Sequence, residues 1–267
     1  MLQFFLSSWR AGFRSRAVLG YFLLGLALVV FAYFAASFSL RQLKTVTLDV
    51  GFSGLRFCLV FISITLVQDL VGREIERRSV VFSLSYPASR ASYLLGRFFG
   101  VLALSASAAL ILGLLLWLAA LAAGGGYEQE HRVALGFPYW LALFGFWLDA
   151  SVVAAFVLLV SSVATVSLLP LAAGVAFAII GKAIGPVLAY VASGADQGEA
   201  LAHVYQPVLA IAKWVVPDLS SLDWRPWPMY GIAPDTGFVQ ASVLVALLYA
   251  GGLIGISVWV FGRREFA

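Results

Sequence analysis

Six apolar runs, each close to or longer than a bilayer is thick, leave this chain almost no choice of fold. They lie at about 17–40, 51–68, 96–123, 137–160, 163–192 and 238–261. A helix crosses the hydrocarbon with about 20 apolar residues, so all six qualify, the second narrowly. None shows the period-two alternation of a membrane strand, and only helices or closed barrels satisfy their backbone in lipid. Composition agrees: 62% of residues are hydrophobic and 11% charged, against about 25% charged in a soluble domain. The expected fold is an all-α integral membrane protein, with residues 1–267 as a single transmembrane domain. The first run is too long for a cleavable signal core and reads as a retained span. Cys58 is the single cysteine and cannot form an intrachain disulfide.

Charge sets the expected orientation. With the amino terminus in the cytoplasm, ten Lys and Arg residues fall on the inner side and five on the outer, while Arg56 and Lys182 lie within spans. Positive residues concentrate on cytoplasmic loops, so both termini are expected there. The net charge of +4 serves topology and carries no nucleic-acid signature.

Before the first span, residues 1–16 mix Trp9 with Arg10, Arg14 and Arg16. This pattern predicts a helix lying in the membrane interface, arginines towards lipid phosphate. The longest outer loop, 193–236, holds an apolar stretch at 200–216 with helical spacing, interrupted by Pro207 and ended by Pro217. We expect a short re-entrant or interfacial helical pair there. Trp214, Trp224, Trp227 and Tyr230 are expected in the aromatic belt.

The stretch 68–97 is a charged island between the second and third runs, its core at 70–90. Read as a helix from Arg73 to Tyr86, it carries two apolar stripes. One is Ile75, Ser79, Phe82 and Tyr86, and the other is Val80 with Leu84. Glu74, Glu76, Arg77 and Arg78 lie between them. Two stripes on a charged helix predict a grip from two sides, the bundle and a partner outside the membrane. Pro87 ends that helix, and Ser89 or Ser92 caps the next.

These residues resemble a known family. The segment 74–100, with Glu74 and Glu76, then Leu84, Tyr86, Pro87, Ser89 and Arg90, then Leu95, Gly96 and Arg97, is similar to the first cytoplasmic loop of type-2 ABC transporter permeases (the ABC-2 exporter family). Phe13–Arg16 resembles the basic pair before their first span, 261–266 their basic-acidic close, and 217–223 a segment before their last span. Arg78-Ser79 departs from the family's usual Gly-Thr. The likeness is greatest to small permeases made without a fused ATPase, including those that serve nitrous-oxide-reductase maturation. The resemblance implies a permease in the bacterial inner membrane, paired with a second copy or a related permease. It further implies two separate ATP-binding subunits, which hold the ATP and magnesium and dock on Glu74, Glu76, Arg77, Arg78, Phe82, Tyr86, Pro87 and Arg90.

Ionisable residues within spans are costly and point to function or pairing. Asp149 and Lys182 lie on the fourth and fifth spans, joined by a tight turn near 161–162, and differ in depth by about 6 Å. They are expected to pair or to share an aqueous groove, either fixing the register of that hairpin or lining a translocation path. Pro186 is expected to kink the fifth span, and Gly181 and Gly185 allow a close helix contact. Arg56 is expected to snorkel towards the outer surface or to serve as a gate charge.

No phosphate-binding loop and no His-Glu-x-x-His are present. His131 and His203 lie in different outer loops. No catalytic group, metal or cofactor is therefore expected in this chain. Two alternatives stay open: an integral-membrane enzyme working through Asp149 and Lys182, and a scaffold anchoring a soluble partner. An apolar path would suit lipids, hydrophobic peptides or drugs.

Overall fold

A computed structural model of the chain describes residues 1–39, 42–76, 89–123, 133–164, 166, 168–192 and 216–263. Among them the chain is helical, with no strand. Six helices are long and apolar enough to cross a membrane. We label the helices α1 (Leu2–Arg14), α2 (Arg16–Ala36), α3 (Leu43–Val67), α4 (Arg73–Glu76), α5 (Arg90–Ala122), α6 (Phe137–Val163), α7 (Leu168–Ala192), α8 (Pro226–Tyr230) and α9 (Thr236–Arg263).

The bundle is built around α3 and α6. In their most apolar windows 78% and 72% of residues are buried, against 17% for α2 and for α9 and 28% for α7. Lipid tails are as apolar as leucine, so membrane helices associate by close packing rather than by escape from water. Small residues supply that closeness. A side chain at Gly51 would strike Leu116 of α5, one at Gly54 would press on Leu28 of α2, and one at Gly25 would meet Leu112 of α5. Aromatic rings fill the centre. Phe52 packs on Tyr139 and Phe146 at centroid distances of 5.2 and 5.4 Å. The Tyr139 hydroxyl donates to Gly113 O at 2.5 Å. Phe156 stacks on Phe177 at 4.1 Å, which joins α6 to α7.

The boundaries differ from the sequence reading in two places. The second span begins at Leu43 and runs without a break through a π turn, Gln68–Gly72, into α4, a stretch of 34 residues. Thr45, Thr47 and Leu48 are buried, so helix–helix packing extends this span beyond its purely apolar run. The charged island thus starts as the end of a span, not as a separate helix. The turn expected near 161–162 is still helix, which continues to Val163. Ser162 satisfies its hydroxyl on Leu159 O, three residues back in its own helix. At its far end α7 stops at Ala192, where the apolar run ends, and it contains Pro186.

The first helix lies along the start of α5. Side chains added at Gly96 or Gly100 would strike Phe4 or Ser8, and one at Gly12 would strike Leu104. Around α1, Ser8 and Gly12 form this packed face. Leu2, Leu6 and Phe13 form an exposed apolar face, and Arg10 and Arg14 lie on the remaining exposed side.

Candidate functional site: a buried ion cluster and a bracketed terminal face

Charged side chains gather at two places. One lies within the bundle beneath the loop that precedes α9. The other lies at the end of the bundle that carries α1 and the close of α9, here termed the terminal face. Both use the same helix: eighteen residues separate Arg56 from Glu74, about 27 Å along its axis.

The loop reaches the first site because three glycines make room for it. A side chain at Gly145 of α6 would strike Leu222 O. One at Gly181 of α7 would meet Leu219 at 2.7 Å, and one at Gly185 would strike Ser220. Gly181 and Gly185 therefore receive this loop, rather than the neighbouring helix expected from sequence. Asp218 caps the 3-10 turn Leu219–Leu222, accepting from Ser220 N at 2.9 Å. Leu219, Leu222 and Trp224 are buried. Trp224 thus belongs to the core and not to the aromatic belt, its indole N–H donating to Ser221 O at 3.0 Å. Trp227 is half-buried against Phe137, and Tyr230 is exposed. The expected helical pair at 200–216 lies outside the described residues except for Val216. The short elements seen are the 3-10 turn and α8, just after Pro217.

Arg56 is the hub. Nε donates to Asp149 Oδ2 at 2.8 Å, Nη1 to Asp223 Oδ2 at 2.8 Å and Nη2 to Leu219 O at 3.0 Å. Its guanidinium also lies 5.7 Å from the centre of the Phe146 ring. At 8% exposure it does not snorkel; Asp149 and the folded-in loop satisfy it in place. Lys182 also pairs with Asp149 Oδ2, at 3.4 Å, so the expected pair exists but shares its oxygen with a closer cation. Asp149 is fully buried, and its Oδ1 has no hydrogen-bond partner among the described residues.

Asp223 closes the cluster. Arg225 grips it through Nε at 2.7 Å and Nη2 at 2.6 Å, then reaches Ser53 of α3 at 2.9 Å. Burial pushes the Asp223 carboxyl up, but the Arg225 hydrogen bonds and the charges of Arg56 and Arg225 outweigh it. The result is a carboxyl held below its ordinary range. The same hydrogen bonds push the Arg225 guanidinium up against the opposing effect of burial. Sequence reading missed Asp223 and Arg225, which stand in a loop with no periodicity to place them. The resemblance of 217–223 touched Asp223, but no pattern there pointed to an ion pair. The cluster ties α3, α6, α7 and the loop together through charge-assisted hydrogen bonds.

At the terminal face, the π turn and α4 aim Asp69 and Glu74 inwards. Glu74 accepts from the Tyr93 hydroxyl at 2.6 Å and pairs with Arg97. Arg97 is buried and also donates to Ser7 and Ser8 of α1, at 3.3 and 3.2 Å. Asp69 accepts from Ser15 at 2.5 Å, between α1 and α2, and pairs with Arg73 at 3.0 Å. Arg90 donates to the terminal carbonyl of α9 at Gly262, at 3.0 Å, where a cation complements the helix dipole. Ser89 caps α5, its oxygen accepting from Ser92 N at 3.2 Å.

Of the residues expected to meet a partner, Glu74 is half-buried and tied to Tyr93 and Arg97, Arg90 is exposed and bonded to the close of α9, and Glu76 is exposed. Arg77, Arg78, Phe82, Tyr86 and Pro87 lie outside the described residues. In α1, Trp9 is half-buried between Phe5 and Phe13, and Arg10 and Arg14 are exposed, as is Arg16 at the start of α2. No group of three or more His, Cys, Asp or Glu is placed to hold a metal among the described residues. No family model matches the chain, and no curated protein matches it in sequence.

Proposed function

We propose that this chain is the membrane subunit of a type-2 ABC exporter. It works with a second permease copy and two separate ATP-binding subunits in the bacterial inner membrane, both termini cytoplasmic. One observation carries the reading: the segment that resembles the family's coupling loop is rooted at both ends in a braced base. Before it, the second span runs unbroken to Glu76. After it, the third span starts at a capped Arg90, and Glu74 is tied to Tyr93 and Arg97 across the gap. A partner that pushes on residues 77–88 would move two spans together.

ATP binding, with its magnesium, takes place on the partner subunits. It shifts the permease only if the partner binds its arrangements with different free energies. A braced lever transmits such a difference better than a loose loop. The buried cluster favours a structural or gating role over acid–base catalysis, because Asp149 is fully buried and two cations share its Oδ2.

The test is co-purification with a phosphate-loop ATPase encoded beside this chain. The reading expects a stable complex, lost in Tyr86→Ala and in Glu76→Lys, with vanadate-sensitive ATP turnover after reconstitution. Labelling of Arg77 or Arg90 from the exterior of intact cells would refute it, as would full activity of the purified chain without any ATPase.

A further inference from the structure

Between α1 and the π turn lies an open groove of about 720 Å3, lined on one side by Leu6, Ser7, Arg10 and Arg14 and on the other by Asp69 and Arg73. We infer that this groove binds the phosphate headgroup of an anionic membrane phospholipid. The inference does not depend on the exporter reading.

Four observations converge on it. First, Arg10 and Arg14 stand four residues apart on one helix, where like charges repel. Neither makes an ion pair with an acid among the described residues, whereas Arg73 across the groove already has Asp69. The lining carries two cations in excess. Second, the walls are amphipathic, with Leu6, 46% exposed, beside the polar residues. Free phosphate would need no such apolar edge, while a lipid presents a charged head above an apolar chain. Third, the exposed apolar face of α1, Leu2, Leu6 and Phe13, borders the arginines. A helix with that division lies in the interface, which brings the groove to headgroup level.

Fourth, the groove's far wall is a π turn, a rare element frequent at functional sites. Its extra residue sets Asp69 against Ser15 and turns Arg73 towards the groove. A side chain at Gly72 would oblige the Gln68 amide, 2.6 Å away, to move. Asp69 opposes the headgroup's charge, but its Oδ2 accepts from Ser15 and its Oδ1, without a hydrogen bond, is neutralised by the ion pair with Arg73. It thus anchors the wall and blunts repulsion. A bound headgroup would bridge α1 to the end of the second span.

The test uses the purified full chain in neutral detergent, titrated with phosphatidylglycerol or phosphatidylcholine and followed by native mass spectrometry and by melting temperature. Phosphatidylglycerol should be retained in preference and should raise the melting temperature. Each basic residue near a membrane surface adds about fivefold to anionic-lipid binding. Arg10→Gln with Arg14→Gln should therefore weaken phosphatidylglycerol binding by about 25-fold, while phosphatidylcholine binding stays unchanged. The charge-conserving pair Arg10→Lys and Arg14→Lys should retain most of the affinity, and it guards against a glutamine variant that fails to fold. Equal retention of the two lipids would overturn the inference, as would an unaltered preference in the glutamine pair. Glycerol phosphate or inorganic phosphate at millimolar concentration should not displace the lipid; displacement would assign the groove to a free phosphate.

Discussion

The two ends of the second span use the same chemistry to opposite effect. Around Arg56, three cations and two carboxylates are folded under a loop, and the central carboxylate, Asp149, is wholly buried. Around Glu74 and Asp69 the ion pairs are part-open, with the Glu74 side chain at 25% and that of Arg73 at 55% exposure. The first arrangement holds four elements in one geometry. The second braces three helices and leaves cations facing outwards. A buried pair is strongly sensitive to loss of one partner, whereas an exposed pair contributes little. The cluster around Arg56 is thus suited to fixing or switching the bundle, and the terminal face to receiving something from outside it.

That contrast can be broken by mutation. The largest effect is expected from Asp149→Asn, which leaves Arg56 and Lys182 facing a neutral amide. Removing one partner of a buried pair costs about 3–5 kcal/mol, read as an early loss of the monodisperse peak on heating in detergent. Arg56→Met combined with Asp149→Leu and Lys182→Met should recover much of that loss, since apolar replacement of a whole buried ion cluster is often neutral. If the single variant melts like the parent, the two faces are energetically equivalent and the comparison fails.

A smaller effect is expected at the terminal face. Arg97→Met removes the ion pair of Glu74 and the hydrogen bonds to Ser7 and Ser8, at a cost of about 1–3 kcal/mol. Because Arg97 reaches both α4 and α1, limited proteolysis near Ser15 should accelerate before the bundle melts. Cleavage unchanged from the parent would mean that Arg97 does not hold α1 in place.

Acid provides a third measurement. Asp223 is a carboxyl held below its ordinary range in the fold. Its stabilisation is complete above the ordinary carboxylate range and is lost as pH falls through its depressed folded-state value. The melting temperature should therefore decline in that acidic window, and Asp223→Asn should flatten the decline. A decline that persists in the variant would assign the acid sensitivity to another carboxylate. The smallest effect is expected from Arg90→Gln, which removes a cation from the last turn of α9. Such a group contributes about 0.3–1 kcal/mol, visible as faster amide exchange near Phe261 with little change in melting.

Much of the architecture was legible in the amino-acid order. The apolar runs required six spans, and the pairing of Asp149 with Lys182 follows from helix rise applied to two charges on adjacent spans. A cap at Ser89 or Ser92 was readable because Pro87 ends any helix before it, and the structure places it at Ser89. Arg56 was misread because its real partners, Asp149 and Asp223, are distant in sequence, and nothing in its neighbourhood signals them. Trp224 was placed at the surface because tryptophan near a span end normally sits there. Its burial follows from Gly145, Gly181 and Gly185, whose missing side chains let the loop sink.

What the sequence alone determined was that this chain is a membrane-spanning helical bundle, because hydropathy acts locally and every backbone group in lipid must find its partner within its own helix. Only the tertiary structure decided which charges meet. Ion pairing between distant residues depends on small-residue packing and loop burial. Those bring Arg56 to Asp223 across more than a hundred and sixty positions, and no local pattern records them.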